Sequence, residues 1–196
     1  MLRSLGARPL VVPTPLFLVG SYDEQGKANI MAAAWAGICS SQPPCLTVSL
    51  RKSRWTYNSI LERGAFTINV PSRGFVRHAD YTGIFSGKDE DKFAKLGLTA
   101  VAGEHVDAPY VGEFPMVVEL KLLQTVELGV HTQFIGEIMD VKVADHCFDD
   151  AGRPDITKID PVIFAPAAKE YYAVGDFLAK AFSAGKSLGN LSDVQK

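Results

Sequence analysis

The sequence lacks any long apolar run, any excess of basic residues and any paired-cysteine motif. Its longest uncharged apolar stretch, Ile30 to Cys39, has about half the length that crosses a bilayer. No apolar segment of the kind found in signal peptides follows the first residues. Lys and Arg number 20 against 22 Asp and Glu, without a basic run. We therefore expect neither a membrane nor a nucleic acid among the partners.

Only three cysteines occur, Cys39, Cys45 and Cys147, and no two of them form a C-x-x-C pair. An odd number without that spacing is typical of reduced cysteines in a cytoplasmic protein rather than of a disulfide framework or a zinc site. The four histidines are scattered, so no metal site is expected. The nucleophile elbow, the dinucleotide-binding glycine motif and a complete P-loop are missing. These absences argue against a Rossmann dinucleotide site, a P-loop and an α/β-hydrolase.

The distribution of apolar residues predicts a single domain over residues 1–196 in which strands dominate. The segment from Pro115 to Gly129 is the clearest strand, because apolar residues at even positions alternate with polar ones such as Glu119. Further strands are predicted over 16–22, 28–37, 46–51, 65–70, 134–143, 161–164 and 171–174, and helices over 53–63, 75–81, 89–96 and 176–184. The last helix would carry an apolar stripe with Phe177, Leu178 and Phe182. Many strands without βαβ alternation favour a mainly β fold, an antiparallel β-barrel with peripheral helices.

One extended segment combines small residues with a tryptophan. Asn29, Ala33 and Trp35 share a face, because side chains alternate along a strand. Ala33 and the neighbouring Ala34 would let a flat ring approach the backbone closely. An ordinary core strand with a buried tryptophan fits the same pattern. The segment is therefore either a ring-binding surface or a plain core strand.

Cations and hydroxyl groups cluster where the next strand ends and a helix begins. Arg51, Ser53 and Thr56 lie in this stretch, and a helix N-terminus with cations nearby suits a phosphate group. The alternative is an ordinary helix capped by Ser53, with solvated Arg and Lys side chains. The pattern alone fits both.

Three further residues are candidates because of their place in the chain. Lys92 could reach an anionic ligand from the first turn of its helix, although a solvated lysine paired with Asp89 or Asp91 fits too. His131 continues the polar face of its strand and would ordinarily be a surface histidine. Phe164 would ordinarily be a core or rim aromatic residue.

Together and in this order, these segments resemble the flavin reductase-like family of FMN-binding split barrels, and its flavoredoxin type most closely. The resemblance extends over residues 13–172. It rests on five segments: Asn29–Trp35, Ser49–Arg51 with Thr56, Phe66–Val70, Ser86–Lys88 with Asp91–Phe93, and His131–Glu137. It implies a six-stranded Greek-key split barrel that forms a homodimer, with one FMN per subunit near the interface.

The resemblance also implies a role for each candidate residue. The isoalloxazine ring would lie along Asn29, Ala33, Ala34 and Trp35. The phosphate would be held by Arg51, Ser53 and Thr56, and Lys92 would lie near the flavin. The pocket would be closed by His131 and Phe164. The FMN phosphate carries nearly two negative charges. A chain of net charge −2 needs local cations such as Arg51 and Lys92 to hold it.

One triplet departs from the family pattern. Flavin reductases of this family often carry Gly-Asp-His beside the nicotinamide site, whereas this chain has Gly129-Val130-His131. Loss of the acid argues against efficient NAD(P)H oxidation and leaves tight FMN binding intact. The sequence thus predicts a cytoplasmic flavoprotein that retains FMN and transfers electrons between redox partner proteins or from NAD(P)H. No side chain need act as a covalent catalyst in such a protein, because the cofactor would perform the redox chemistry. The alternatives are an NAD(P)H:flavin oxidoreductase that uses flavin as a substrate, and a non-redox module that binds flavin or haem.

Overall fold

The computed structural model describes residues 1–186 and 188, within which twelve β-strands and four α-helices form. The strands are β1 (Thr14–Pro15), β2 (Phe17–Tyr22), β3 (Ala28–Ala33), β4 (Ala36–Ser41), β5 (Pro44–Leu50), β6 (Ala65–Val70), β7 (Ala100–Ala102), β8 (Pro109–Val111), β9 (Met116–Leu128), β10 (His131–Val143), β11 (Val162–Ala165) and β12 (Glu170–Ala173). The helices are α1 (Trp55–Arg63), α2 (Val76–Ile84), α3 (Lys92–Leu96) and α4 (Ile156–Ile159). None of the described helices is both long enough and apolar enough to cross a membrane.

Seven strands form one antiparallel sheet in the order β3-β2-β6-β9-β10-β5-β4. Its edge strands, β3 and β4, are consecutive in the chain and joined only by Ala34 and Trp35, so the sheet curls until its edges approach each other. The Ser49 backbone N–H donates to the Trp35 carbonyl at 2.9 Å, but no ladder joins β3 to β4 within the described residues. The fold is a mainly β split barrel with peripheral helices, and this prediction is confirmed.

The main sheet has one strand more than the six that the family resemblance implies. Segment 28–37, predicted as a single extended stretch, contains all of β3 and the beginning of β4. A bend at Trp35 separates the two strands. One continuous segment therefore supplies both edges of the sheet. Two smaller sheets, β1-β11-β12 and β7-β8, lie beside it.

Alternation along the strands builds two apolar layers. On β2, Val19 packs inside the barrel with Phe66 and Phe134. Its neighbour Leu18 faces the other way, into a second cluster with Ile30. Residues of α2 and α3 complete this outer cluster, and both helices contact β3. Two helices thus lie against the strand that carries the candidate ring-binding segment.

Helix α1 starts later than predicted. Its N-cap residue is Arg54, and no side chain of the described residues caps it. The alternative role of Ser53 as a cap is therefore wrong. Its end is as predicted, because Gly64 takes a φ of +61° and returns its N–H to the Ile60 carbonyl at 2.9 Å. The uncapped start of α1 lies at the site described below.

The expectation that Glu119 lies on a polar face of β9 is wrong, because its side chain is fully buried. Its carboxylate accepts the N–H groups of Glu104 at 3.2 Å and His105 at 2.7 Å. Lys142 adds an ion pair at 3.3 Å. Alternation predicts which face of a strand a residue occupies, but not which distant segment covers that face.

The predicted C-terminal helix over 176–184 is also wrong. Residues 176–180 form no regular element and 181–183 form a turn. Phe177, Leu178 and Phe182 are exposed, at 77%, 92% and 99%. An amphipathic helix takes most of its stability from the surface that its apolar stripe packs against. No part of the chain that the structure describes provides such a surface.

Candidate functional site

Two cavities adjoin around the end of β3, the start of α1 and the segment that follows α2. The first cavity has a volume of about 220 Å³ and lies at the bend between β3 and β4. The second has a volume of about 110 Å³ and lies beside the start of α1. The two share Met31 and Arg54.

All ten predicted site residues line one of these cavities. The first is lined by Ala33, Ala34, Trp35, Arg51, His131 and Phe164, and the second by Asn29, Ser53, Thr56 and Lys92. The fold therefore brings together residues that lie far apart in the sequence. Their part in holding a ligand stays a prediction.

Trp35 lies at the edge of the first cavity and not in the core. It is 36% exposed, so the alternative of a buried core tryptophan is wrong. Met31 and Ala33, on the same segment, do pack into the barrel core. Ala33 and Ala34 project only methyl groups, so this wall of the cavity leaves the backbone accessible to a flat group.

Arg51 and Arg54 are cations that have no partner among the residues the structure describes. Both line the first cavity, and neither guanidinium forms an ion pair or side-chain hydrogen bond with another described residue. The neighbouring Lys52 differs, because it pairs with Glu127 at 2.8 Å. Arg54 is also the N-cap residue of α1, a nine-residue helix without a side-chain cap. Two unpaired cations and the positive end of a helix dipole make this corner suitable for an anion.

The side chains of Asn29 and Thr56, which both line the second cavity, are hydrogen-bonded to each other. The Asn29 Nδ2 amide donates to Thr56 Oγ1 at 3.0 Å, which ties β3 to the first turn of α1. Asn29 is buried, and its Oδ1 has no hydrogen-bond partner among the described residues. A buried acceptor without a partner costs about 1–3 kcal/mol. A ligand with a donor group would remove that cost.

Gly87 packs directly against this amide. A Cβ at this position would lie 2.2 Å from Asn29 Oδ1 and 3.0 Å from the Trp55 ring. No larger residue fits here without displacing one of these neighbours. Gly87 therefore fixes the place of the Asn29 side chain at the second cavity.

Lys92 is buried, with 2% of its surface exposed. Its Nζ donates to the Ile30 carbonyl of β3 and to the Thr82 carbonyl of α2, both at 2.8 Å. The alternative of a solvated lysine paired with Asp89 or Asp91 is therefore wrong. Burial lowers the pKa of Lys92 to about 8, and the charge of Arg54 contributes to the shift. An ammonium has three donors, so one remains beyond the two carbonyls.

His131 begins β10 at the first cavity, directly after a tight turn. Gly129 takes a φ of +56° in that turn, and Val130 is exposed at its tip. Behind His131, the Thr132 hydroxyl donates to Glu127 Oε1 at 2.9 Å and lies 3.0 Å from the Tyr57 hydroxyl. These contacts hold the start of β10 against β9 and α1, so the position of His131 is well defined.

Phe164 reaches the first cavity from β11. Its ring lies 5.5 Å from the ring of Tyr171, its cross-strand partner on β12. The Tyr171 hydroxyl donates to Asp80 Oδ1 on α2 at 2.8 Å. Burial, followed by this hydrogen bond, raises the pKa of Tyr171 to about 12. One side-chain hydrogen bond therefore joins the hairpin that carries Phe164 to the helix that leads into the second cavity.

Sequence reasoning missed several lining residues. Arg54 lines both cavities, and residues 82–87 form one wall of the second. Arg54 stands in the same cationic cluster as Arg51, so the cluster was a usable signal for it. Nothing in the sequence separated Arg54, which stays unpaired, from Lys52, which pairs with a residue of β9. Within residues 1–186 and 188, no group of three or more His, Cys, Asp or Glu side chains is arranged to hold a metal ion.

Comparisons with known proteins agree with this geometry. Residues 9–166 match the family described as flavin reductase like domain. Flavoredoxin of Desulfovibrio vulgaris (Miyazaki F) is 72% identical, with coverage of 95% of this chain and 100% of that chain and a TM-score of 0.91. Flavoredoxin from Methanosarcina acetivorans is 32% identical, with coverage of 96% and 100% and a TM-score of 0.89. An uncharacterised protein of Archaeoglobus fulgidus is 38% identical over 66% of this chain and 72% of its own length. Both cavities lie inside the matched segment.

Proposed function

Because the chain belongs to the flavin reductase like domain family, we propose that it binds FMN in the two joined cavities and keeps it bound while transferring electrons. The similarity to two proteins named flavoredoxin supports this assignment. The observation that carries it is the pair of adjoining cavities that share Arg54. Among the described residues, the two arginines at one corner have no ion pair and the buried Asn29 acceptor has no hydrogen-bond partner.

The residues present fit the chemical groups of FMN. The ring system would lie along Ala33, Ala34 and Trp35, where small side chains expose the backbone. Its amide-like edge and the ribityl hydroxyls carry donors of the kind that Asn29 Oδ1 lacks. The phosphate would be held by Arg51 and Arg54 with Ser53 and the start of α1, since charge-assisted hydrogen bonds are the stronger class.

Bound FMN would supply reversible electron transfer, and the protein would supply binding and electrostatics. Lys92 Nζ holds its proton below a pH of about 8, so a positive charge stays next to the cavity at neutral pH. Thr56 Oγ1 fixes the Asn29 amide, and Asn29 orients a donor of the ligand. His131 and Phe164 stand at the open side of the first cavity, where they would exclude water.

A homodimer in the cytoplasm, with redox partner proteins or NAD(P)H as the source of electrons, is part of the same proposal. The exposed side chains of Phe177, Leu178 and Phe182 support the dimer, because apolar residues at this density ordinarily meet another surface. Sedimentation of the full chain tests this point. A monomer at all concentrations would contradict the dimer and leave the flavin site untouched.

Retention of the flavin is favoured over its use as a free substrate by one observation. Val130, which stands where reductases of the family often carry an acid, is an exposed residue at the hairpin tip beside His131. It offers no charge to a nicotinamide there. The alternative is an NAD(P)H:flavin oxidoreductase, and the third possibility is a module that holds flavin or haem without redox chemistry.

The first experiment is the visible absorption spectrum of freshly purified protein, followed by denaturation and identification of the released chromophore. We expect a yellow protein that releases stoichiometric FMN and is reduced and reoxidised reversibly. A protein without flavin that binds none on titration would contradict the proposal. Fast turnover of added FMN by NADH or NADPH, with saturation in free FMN, would favour the reductase. A bound ligand that does not change redox state would favour the binding module.

The second experiment tests the phosphate corner. We expect Arg54→Met to weaken FMN binding by about ten- to a hundred-fold, the range of one charge-assisted hydrogen bond, and to leave binding of riboflavin, which has no phosphate, nearly unchanged. Lys52→Met is the matched control, because its partner is Glu127 and it lines neither cavity. Equal losses for FMN and riboflavin would contradict the assignment of Arg54 to the phosphate.

A further inference from the structure

Two of the three cysteines lie near each other in the β4–β5 hairpin, Cys39 in β4 and Cys45 in β5. Ile38 pairs with Leu46 and Ser40 pairs with Cys45, so Cys39 is an extra residue in β4 and forms a β-bulge. In a bulge two residues of one strand oppose a single residue of the other. The partner of Cys45 is Ser40, and Cys39 is the bulged residue next to that partner.

The proximity of these two cysteines suits a disulfide. Cys39 is the chain neighbour of Ser40, and a directly paired residue such as Ser40 has its Cα about 4.5–5.5 Å from that of its partner, here Cys45. Disulfides span about 4.4–6.8 Å between Cα atoms. Strand β4 is an edge of the main sheet, and a bulge already interrupts its pairing. The backbone of such a segment can adjust by a few tenths of an ångström more easily than that of a central strand.

The two thiols differ in access. Cys39 is exposed, whereas Cys45 is 2% exposed. Although Cys39 is exposed, the protein atoms around its thiol remove part of its hydration and raise its pKa, and the neighbouring Cys45 raises it further. The second effect is expected for two nearby thiols that would repel each other as thiolates. Cys147 is fully buried in another apolar cluster, with Val70 and Ile159. The hairpin thus holds one thiol that solvent reaches and a second, protected thiol beside it.

We propose that Cys39 and Cys45 form a redox-sensitive dithiol that low-molecular-weight disulfides oxidise to an intramolecular disulfide. The Cys39 thiolate attacks one sulfur of the external disulfide, breaks its S–S bond, forms a mixed disulfide and releases the first small thiol. The Cys45 thiolate then attacks the Cys39 sulfur, forms the protein disulfide and releases the second small thiol. Two electrons pass from the protein to the external disulfide, and the two thiol protons balance those gained by the two released thiols.

The hairpin that carries this pair also lines the first cavity. Trp35 directly precedes β4, and Ser49 and Leu50 end β5. Oxidation would lock the far end of the same two strands. The inference does not rest on flavin binding, because all of its steps use the thiols of this chain and an added disulfide.

The test uses the full chain, purified in a reducing buffer and then exposed to oxidised glutathione. After acid quenching and alkylation, trypsin releases residues 28–51 as one peptide, because no Lys or Arg lies between Lys27 and Arg51. We expect this peptide to lose the mass of two hydrogen atoms and to become resistant to alkylation. The reaction should accelerate about tenfold per pH unit between pH 7 and pH 8, because only the thiolate attacks. Cys147 should stay free to be alkylated after unfolding.

Variants separate the two steps. In the Cys45→Ser variant the reaction should stop at a glutathione adduct on Cys39. If the Cys45→Ser protein does not fold, the Cys45→Ala variant tests the same step. Cys39→Ser should take up no glutathione, and Cys147→Ala should behave like the unaltered protein. The proposal is overturned if the unaltered protein accumulates the Cys39 adduct with Cys45 still alkylated, if Cys39 links two chains, or if the hairpin peptide stays reduced at pH 9.

Discussion

Replacement of Lys92 by methionine removes a buried charge while keeping the length of the side chain. In the structure the Lys92 ammonium joins three elements, because it extends from α3 and donates to carbonyls of β3 and α2 at 2.8 Å. Methionine fills a similar volume and cannot donate. The Lys92→Met variant therefore leaves two buried carbonyls without this donor.

The size of the effect follows from two opposing contributions. An unsatisfied buried carbonyl costs about 1–3 kcal/mol, so the loss of both hydrogen bonds destabilises the fold by roughly 2–6 kcal/mol. In the opposite direction, folding disfavours the protonated form of Lys92, since its pKa falls from 10.5 to about 8. That shift corresponds to about 3 kcal/mol, which the variant regains at neutral pH. At pH 7 the net effect should therefore lie between a gain of about 1 kcal/mol and a loss of about 3 kcal/mol.

The same shift gives the variant a signature in pH. Between pH 8 and pH 10.5 the unfolded chain keeps the Lys92 proton while the folded chain has lost it, so the unfolded state binds more protons. Stability from Lys92 therefore rises with pH across this window, by about 3 kcal/mol in all. A neutral amine still has two N–H donors for the two carbonyls. The advantage of the natural protein over Lys92→Met should accordingly grow as pH rises.

Urea unfolding of the flavin-free protein at several pH values from 7 to 10 measures this difference. The relevant quantity is the free energy of unfolding of the natural protein minus that of the variant, because titrating tyrosines contribute equally to both. Lys95→Met is the matched control, an exposed lysine on the same helix, and its difference should be flat. A flat difference for Lys92→Met as well would refute the reasoning, since Lys92 would then titrate as it does in the unfolded chain.

Two further substitutions test the walls of the cavities. Gly87→Ala should displace the Asn29 amide, because the new Cβ would lie 2.2 Å from Oδ1, and FMN affinity measured by fluorescence titration should fall about tenfold or more. Gly74→Ala should leave the affinity unchanged, because no described residue has an atom within 4 Å of a Cβ placed there. Equal affinities for both variants would count against a fixed Asn29. Tyr171→Phe should lower FMN affinity about three- to tenfold, because it removes the hydrogen bond that joins the β11–β12 hairpin to α2. Tyr172→Phe should not lower the affinity, because the Tyr172 hydroxyl contacts only an exposed carboxylate. The same effect in both variants would mean that the β11–β12 hairpin does not position the cavity wall.

Local sequence features predicted much of the fold because their causes are local. Phe66 and Ile68 alternate on β6 and both pack in the barrel core, since side-chain direction along a strand has a period of two. Gly64 ends α1 because glycine takes a positive φ without strain. The ten candidate residues, which line the two cavities, could be predicted because the order of their segments along the chain resembles that of a family of known architecture.

Other features depend on which distant segments meet. Lys92 has an ordinary place in the first turn of a short helix, and it is buried only because α3 packs against β3 and α2. Glu119 alternates like a solvent-facing residue, but residues 104 and 105 cover it. The periodic stripe at Phe177 predicts a helix, and the described chain offers it no surface.

Residue type and spacing along the chain were enough to predict the mainly β character, the strand and turn positions of the barrel, and the cationic segment before α1. The folded arrangement was needed to see that, among the described residues, Arg54 has no ion pair while Lys52 binds Glu127, and that the buried Asn29 acceptor has no partner. Burial and pairing depend on the surroundings of a side chain. Those surroundings are assembled from segments that lie far apart along the chain.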